Sequence, residues 1–209
     1  MSAKERLRVG VMISGRGSNM QALLEACAVA DFPAEIVLVV SNEADAQGLV
    51  RAERAGVATQ VIPHRDYADR AAFDAAVTAA FEAAGVELVC MAGFMRLVSE
   101  GFVERWRDRL INIHPSLLPL FKGLETHARA LAAGVKLHGC SVHFVRHEMD
   151  SGPIIGQAAV PVLSGDTPET LAARVLEAEH RLYPRCLRLL AEGRVRVAGE
   201  TAEIREAPG

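Results

Sequence analysis

The chain has 209 residues, of which 50% are apolar and 23% charged, and its 23 basic and 26 acidic side chains give a net charge of −3. This is the composition of an ordinary globular protein with room for a sizeable hydrophobic core. The mild negative charge argues against wholesale binding of nucleic acid or of an anionic membrane, but it allows a local basic site for a small anion.

The N-terminus and the cysteines indicate a cytoplasmic protein. The first eight residues are charged and lead straight into a short apolar run, so the apolar core of a signal peptide is missing. No stretch approaches the roughly 20 apolar residues of a membrane helix. The four cysteines are scattered without a C-x-x-C pair, which predicts reduced thiols and neither a zinc knuckle nor a redox motif.

Short apolar runs alternate with Ala-rich helical stretches along the first half of the chain. The predicted strands are 8–13, 35–40, 58–62, 87–92 and 110–113, and the predicted helices are 19–30, 45–55 and 70–84. Ser18 and Gln21 have the spacing of a capping box at the start of the first helix. The alternation predicts an α/β fold in three layers, a Rossmann-like, mostly parallel sheet of about seven strands with helices on both faces.

The pattern changes after residue 137. Segments 137–145 and 153–162 both read as extended with no helix between them, which predicts an antiparallel or mixed edge of the sheet. Thr167-Pro168 opens a last helix that runs to about residue 191, and Pro184 should kink or split it. The polar tail 200–209 is expected to be frayed. We see no domain boundary and expect one domain over 1–209 with a core of about 8–195.

A glycine-rich loop, Gly15-Arg-Gly-Ser-Asn19, joins the first strand to the first helix. Such a loop lets backbone N–H groups and the positive end of a helix approach an anion. A dinucleotide fingerprint would need glycine at Met20 and an acidic residue after the second strand, and a triphosphate loop would need lysine at Arg16. The loop therefore indicates a generic phosphate cradle, with a tight turn that needs glycine for geometry alone as the alternative.

The strand end Leu110-Ile-Asn-Ile-His-Pro115 is the most informative segment. Asn112 and His114 project to one face because strand residues alternate, and ligand crevices of open α/β sheets lie at such strand ends. An amide beside an imidazole can stabilise an oxyanion, a contribution worth roughly 2.7–4 kcal/mol per donor. The alternative is a polar pair that satisfies backbone groups.

The turn-rich loop 147–153 carries Asp150 and Glu148. An aspartate near His114 would favour the imidazolium form and could relay a proton. The alternative is a solvated turn in which Asp150 caps its own backbone, and Glu148 is expected to be solvated.

These segments stand in the order found in formyltetrahydrofolate-dependent formyltransferases, and the chain resembles that family over about residues 8–195. The resemblance rests on Ser14-Gly-Arg-Gly-Ser-Asn19, Ser41–Ala46, Ala92-Gly-Phe-Met-Arg96, Asn112-Ile-His-Pro-Ser-Leu-Leu-Pro119, His138–Phe144, Asp150–Pro153 and Glu179-His180. Three positions depart from the residues usual in the family, namely Lys122, Glu125 and Leu176.

The resemblance implies formyl transfer from 10-formyltetrahydrofolate to the amine of 5-phosphoribosylglycinamide (GAR), a step of de novo purine biosynthesis that requires no metal. It implies Asn112, His114 and Asp150 as the catalytic residues. The amine attacks the formyl carbon, and Asn112 and protonated His114 stabilise the oxyanion. Asp150 keeps His114 charged and moves a proton, through water, from the amine to N10 of the folate. His143 either supports this site or packs as core.

The resemblance also implies two binding regions. The GAR phosphate would contact Gly17, Ser18, Asn19 and Glu179. The folate would contact Arg70, Met95, Arg96, Leu97, Val98, Val145, Arg146, His147 and Glu148. Phe94 and Val103 are implied in the same pocket, and plain core packing is the alternative for Phe94, Leu97, Val98 and Val103. We expect the two substrates as the only partners, with no nucleic acid or membrane, and a monomer or weak homodimer.

Three other functions are weighed against this one. A methionyl-tRNA formyltransferase carries an extra RNA-binding domain, which 209 residues do not accommodate. A formyltetrahydrofolate hydrolase carries an N-terminal regulatory domain, whereas the first strand here begins by residue 8. A noncatalytic or dinucleotide-dependent Rossmann module conflicts with Met20 and with the Asn112, His114 and Asp150 set.

Overall fold

A computed structural model describes residues 5–206 of the chain, and strands alternate with helices along it. The strands are β1 (Leu7–Ile13), β2 (Ala34–Ser41), β3 (Thr59–Val61), β4 (Leu88–Met91), β5 (Leu110–His114), β6 (Leu137–Phe144), β7 (Ile154–Pro161), β8 (Val195–Ala198) and β9 (Thr201–Ile204). The α-helices are α1 (Ser18–Cys27), α2 (Gln47–Arg54), α3 (Arg70–Ala83), α4 (Glu100–Arg105), α5 (Thr126–Ala132) and α6 (Pro168–Ala191), and a 3₁₀ helix spans His64–Asp66.

Seven of these strands form one sheet in the order β3-β2-β1-β4-β5-β6-β7. The pairs β1–β2, β1–β4 and β2–β3 are parallel, whereas β6 and β7 are antiparallel. Strands β8 and β9 pair with each other as a separate antiparallel ribbon. The predicted α/β fold with a mostly parallel sheet of about seven strands is confirmed, and of the antiparallel or mixed edge predicted after residue 137 the structure shows the antiparallel form.

The chain divides into two compact units, Met1–Ile111 and Asn112–Gly209, called here the N-terminal and C-terminal units. In the N-terminal unit the last five residues of β1 and all of β4 are buried, which explains why these strands read as continuous apolar runs. Beside the sheet, Trp106 packs edge-on against Phe81 with ring centroids 6.0 Å apart, and the Arg109 guanidinium lies 4.9 Å from the Trp106 ring.

In the C-terminal unit, helix α6 packs on β6 and β7. Thr167 caps this helix reciprocally with Thr170, and Pro168 occupies the first turn, where a missing N–H costs nothing. The expected split at Pro184 does not occur, because the helix continues through it to Ala191. Strand β7 is an edge strand of the sheet and ends at Pro161.

Several local predictions are wrong. The capping box at Ser18 does not form, because Ser18 already lies inside α1 and Gly17 occupies the N-cap position. The short helices α4 and α5 were not predicted, since six or seven residues show no clear helical period. The tail is not frayed over Thr201–Ile204, which forms β9 after a turn at Gly199 with φ of 62°. Residues 207–209 of that predicted tail lie outside the described residues.

All four cysteines are buried and none forms a disulfide. Removal from water destabilises a thiolate, and burial raises the pKa of Cys27, Cys140 and Cys186 to about 12.

Between residues 5 and 206, no helix is both long enough and apolar enough to cross a bilayer.

The close pairing of β6 and β7 predicts a strong glycine requirement. A Cβ at Gly139 would lie 2.0 Å from the Ala158 carbonyl oxygen, whereas a Cβ at Gly101 in α4 would have nothing within 4 Å. Gly139→Ala should therefore destabilise the protein by about 1–3 kcal/mol or more, because backbone must shift. Gly101→Ala should be neutral or stabilising by up to about 1 kcal/mol. Urea unfolding midpoints measure both, and equal midpoints for the two variants would contradict the close approach.

Candidate active site

The three catalytic candidates lie in the C-terminal unit, two on β5 and one in the loop between β6 and β7. His114 Nδ1 lies 3.4 Å from Asp150 Oδ1, and the two side chains are only 7% and 13% exposed. The structure therefore shows the contact between His114 and Asp150, which spacing in the sequence could not establish. Asn112 precedes His114 by two residues on the same strand, so both side chains project to one face.

Both ring nitrogens of His114 face oxygen acceptors. Nε2 lies 3.1 Å from the carbonyl oxygen of Phe121, which can only accept, so Nε2 carries a hydrogen. Nδ1 faces the Asp150 carboxylate, to which an N–H group would donate a charge-assisted hydrogen bond. An imidazolium satisfies both contacts at once, whereas a neutral ring would leave a lone pair opposite a carbonyl or a carboxylate.

Asp150 is held by backbone on its other oxygen. The Gly123 amide donates to Asp150 Oδ2 at 2.7 Å, and Asp150 itself adopts a left-handed backbone with φ of 48°, which aspartate tolerates better than most residues. The segment Phe121–Gly123 thus contacts both members of the pair, through a carbonyl on one side and an amide on the other.

Asn112 is oriented by a buried neutral histidine. His143 Nδ1 lies 2.9 Å from the Phe144 carbonyl oxygen and 3.1 Å from that of Ser151, so Nδ1 is the protonated nitrogen. Burial lowers the pKa of His143, and the unprotonated Nε2 accepts from Asn112 Nδ2 at 3.4 Å. One amide hydrogen of Asn112 is used in this way.

A buried serine fixes the chain that follows His114. Ser141 Oγ donates to the Ser116 carbonyl at 2.7 Å and accepts from the amide of Leu118 at 3.0 Å and from Gln157 Nε2 at 2.9 Å. Gln157 also donates to the Leu118 carbonyl, and the Leu118–Pro119 peptide is cis. Strands β6 and β7 therefore hold the turn beyond the catalytic strand at three points.

The loop that carries Asp150 has its own constraints. Gly152 has φ of 107°, and a Cβ there would lie 2.3 Å from the Phe144 carbonyl oxygen, so only glycine fits. Lys122 Nζ pairs with Glu148 Oε1 at 2.8 Å and lowers the pKa of that exposed carboxyl. Of the folate candidates on this loop, Val145 and Arg146 are half-buried, whereas His147 and Glu148 are exposed.

In the N-terminal unit, the strand order reverses direction between β1 and β4, the point where open α/β sheets bind ligands. The loops that follow these two strands are hydrogen-bonded to each other. The amide of Ser14 donates to the Gly93 carbonyl at 3.2 Å, and Ser14 Oγ accepts from the amide of Met95 at 2.9 Å. The predicted phosphate loop and the predicted folate segment 95–98 therefore meet at the topological switch point.

Glycine at position 17 is required by backbone geometry. Gly17 has φ of 68°, and a Cβ there would lie 2.8 Å from the Cα of Gly48 at the start of α2. The Gly48 amide also donates to the Gly15 carbonyl at 3.0 Å. This close approach accounts for Gly17 without a ligand, and it places Ser18 and Asn19 in the first turn of α1, whose positive end suits an anion.

The remaining predicted residues divide by exposure. Met95 and Leu97 are 70% and 51% exposed, as a ligand-contacting surface requires, and Arg70 at the start of α3 is exposed. Arg96 and Val98 are half-buried. Phe94 and Val103 are buried, and Phe94 stacks on Phe73 with centroids 6.3 Å apart, so both side chains belong to the core. Glu179 is 6% exposed on α6 in the C-terminal unit.

Sequence reasoning missed the groups that support these residues. The carbonyl of Phe121 and the amide of Gly123 are backbone atoms, which no residue type announces. Asp74 in α3 was also missed. It is 2% exposed, accepts from the amide of Ser99 at 2.5 Å and thereby holds the end of the segment 95–98, and burial raises its pKa. Within the described part of the chain, no group of three or more His, Cys, Asp or Glu side chains is placed to hold a metal ion.

Comparison with known proteins fixes the family. A family model described as "Formyl transferase" matches residues 7–187. The chain belongs to the formyl transferase family. Among its relatives is the phosphoribosylglycinamide formyltransferase of Escherichia coli K12, which is 44% identical over 91% of this chain and 90% of its own length.

Other members of the formyl transferase family extend the likeness. The crystal structure of glycinamide ribonucleotide transformylase 1 from Symbiobacterium toebii matches with a TM-score of 0.94 and 50% identity, covering 96% of this chain and 95% of that one. The trifunctional purine biosynthetic protein adenosine-3 of Gallus gallus is 53% identical over 95% of this chain. The chain spans only 20% of that trifunctional relative.

The burial of His138 predicts a pH-dependent stability. It is 1% exposed and packs edge-on against Phe121 and His127, with centroids 5.9 and 5.3 Å away. Burial lowers the pKa of His138 from 6.5 to about 4, so protons bind the unfolded chain first as the pH falls. Above pH 6.5 this group does not lower the free energy of unfolding. As the pH falls from 6.5 toward 4, the free energy of unfolding decreases by up to about 3 kcal/mol.

His138→Gln should flatten the loss of unfolding free energy between pH 7 and pH 4, measured by urea titration at each pH. The same substitution at an exposed histidine, His147→Gln, serves as the matched control. An identical slope for His138→Gln and the wild type would show that this histidine titrates alike in the folded and unfolded chain. Slopes rather than absolute stabilities are compared, because a buried substitution shifts the whole curve.

Proposed function

We propose that the chain transfers the formyl group of 10-formyltetrahydrofolate to the amine of GAR, giving formyl-GAR and tetrahydrofolate in purine biosynthesis. The observation that carries this proposal is the buried His114–Asp150 pair beside Asn112, in a chain that matches GAR-formylating relatives over nearly its whole length. The arrangement supplies hydrogen-bond donors for an oxyanion and a carboxylate for proton transfer, which are the two needs of acyl transfer to an amine.

Asn112 and His114 would act on the formyl oxygen. The GAR amine attacks the formyl carbon, and the carbonyl oxygen becomes an oxyanion. The second amide hydrogen of Asn112 donates to it, since the first is used by His143. His114 Nε2–H, which points at the Phe121 carbonyl in this structure, would exchange that acceptor for the more strongly accepting oxyanion.

Asp150 would hold the charge and direct the proton. Its carboxylate lies against His114 Nδ1 and favours the imidazolium that faces the oxyanion. As the intermediate collapses, the bond between the formyl carbon and N10 breaks and the new amide bond remains. The amine loses one proton and N10 gains one, and Asp150 relays it through water.

The substrates would occupy the two regions set out above. We assign Gly17, Ser18 and Asn19 to the GAR phosphate because the loop lies at a helix N-terminus, and we assign Glu179 to it on the family resemblance alone. The folate is assigned to Arg70, Met95, Arg96, Leu97, Val98, Val145, Arg146, His147 and Glu148. We further propose one catalytic domain over 1–209 without a bound metal, acting as a monomer or weak homodimer in the cytoplasm, where buried thiols stay reduced.

An absorbance assay with 10-formyl folate, run with and without GAR, tests the function. We expect tetrahydrofolate release that depends on GAR, together with formyl-GAR in equal amount. Release without GAR would identify a hydrolase instead. If a purified, folded protein gives no turnover in either case, the interpretation of the chain as an enzyme is wrong.

Asp150→Asn should lower kcat by roughly two orders of magnitude or more, because the amide neither stabilises the imidazolium nor accepts a proton. Substrate affinity, measured by calorimetry, should change little. Glu203→Gln removes an exposed carboxylate on β9 and should leave kcat unchanged. Loss of binding with normal turnover at saturation would argue against the proton-transfer role.

Asn19→Ala should raise the KM for GAR more than the KM for the folate, since the change removes a polar group beside the proposed phosphate site. Gln21→Ala, which alters a side chain that pairs with Glu25 on the same helix, is the matched control. Initial-rate kinetics with each substrate varied in turn measure both constants. Equal effects on the two KM values would place the phosphate elsewhere.

A further inference from the structure

Arg129 contacts the segment that holds the catalytic pair. It lies in α5, and its Nη1 donates to the carbonyls of Lys122 at 2.5 Å and Leu124 at 3.3 Å. Its guanidinium also lies 5.8 Å from the centroid of the Phe121 ring. One exposed side chain thus touches three of the four residues from Phe121 to Leu124.

This segment has a backbone that needs such support. Phe121, Gly123 and Glu125 all have left-handed backbones, with φ of 54°, 80° and 56°. Phenylalanine and glutamate rarely adopt that conformation, and they keep it only where surrounding contacts impose it. The carbonyls that Arg129 binds lie between these residues, so the guanidinium contacts the backbone where it is left-handed.

The same segment supplies both backbone groups that fix the candidate catalytic pair. The Phe121 carbonyl accepts from His114 Nε2, and the Gly123 amide donates to Asp150 Oδ2. The Lys122–Glu148 pair also reaches this segment, but Glu148 is 76% exposed there, and such pairs contribute little. Arg129 is the more direct tether because its acceptors are the backbone itself.

We propose that Arg129 is a positioning residue of the reaction, which sets the geometry of His114 and Asp150 by holding the backbone of residues 121–124. The inference rests on the proposed formyl transfer. Arg129 acts through the segment and has no proposed contact with either substrate, so its loss should lower kcat and spare both KM values. Lysine keeps the charge and can donate to a carbonyl, but its flexible ammonium lacks the flat guanidinium that Arg129 places near the Phe121 ring, so Arg129→Lys should lie between arginine and glutamine.

The test compares the full-length wild type with Arg129→Gln, Arg129→Lys and the control Arg196→Gln, which removes a different exposed arginine of the C-terminal unit, one that pairs with Glu203. We expect Arg129→Gln to lower kcat about 10-fold with both KM values within about 2-fold, and Arg129→Lys to recover part of the loss. Amide hydrogen exchange should accelerate over residues 121–126 in Arg129→Gln and remain normal in Arg196→Gln. Urea midpoints for all four proteins separate this effect from a general loss of stability.

Each other outcome is decisive. An active wild type with unchanged kcat in Arg129→Gln would overturn the proposal, as would a raised KM with normal kcat, which would make Arg129 a substrate-binding residue. A fall in kcat only in proportion to unfolded protein would reduce its role to stability. A wild type without any turnover would overturn the proposed function instead, and the exchange data alone would then decide whether Arg129 holds the segment. If Arg129→Gln fails to fold, Arg129→Lys carries the same comparison.

Discussion

The contact between His114 and Asp150 is the constraint on which the candidate site depends. Both side chains are nearly removed from water, so their attraction is weakly screened, but either one left alone would be a costly buried polar group. The pair can therefore act in the proposed reaction only while the two side chains keep their relative position. The turn at Gly152, the ties of Ser141 to the chain after β5 and the segment 121–123 all act on that geometry.

Main-chain groups, more than side chains, hold the candidate catalytic residues in place. The acceptor for His114 and the donor for Asp150 are both main-chain groups, and they come from a segment with a left-handed conformation. The N-terminal unit follows the same rule, because Gly17 approaches the backbone of Gly48 and the loops after β1 and β4 are joined through Ser14. Main-chain groups move less than long side chains, which suits a site that must be in place before its substrates arrive.

The sequence predicts those strands and helices whose burial requires apolar residues at consecutive or regularly spaced positions. Strands β1, β2, β4 and β5 are short, largely buried apolar runs. Asn112 and His114 stand out because they alternate onto one face of a strand, whereas the role of Asp150 comes only from the family resemblance. The ribbon β8–β9 has only four residues in each strand and is half-exposed or exposed, so its pattern is too short to predict the pairing. Phe121 and Gly123 contribute a carbonyl and an amide, which every residue has, and only the folded chain shows which ones are used. The apolar positions Phe94 and Val103 fit both a pocket and a core, and burial decides for the core.

The buried cysteines make the folded chain chemically quiet toward thiol reagents. Burial raises the pKa of Cys27, Cys140 and Cys186 to about 12, so almost none of these thiols is a reactive thiolate at neutral pH. Cys27 lies in the N-terminal unit and the other two in the C-terminal unit. Modification of each cysteine therefore marks the opening of its own unit, and the chain contains an intrinsic set of reporters for local unfolding.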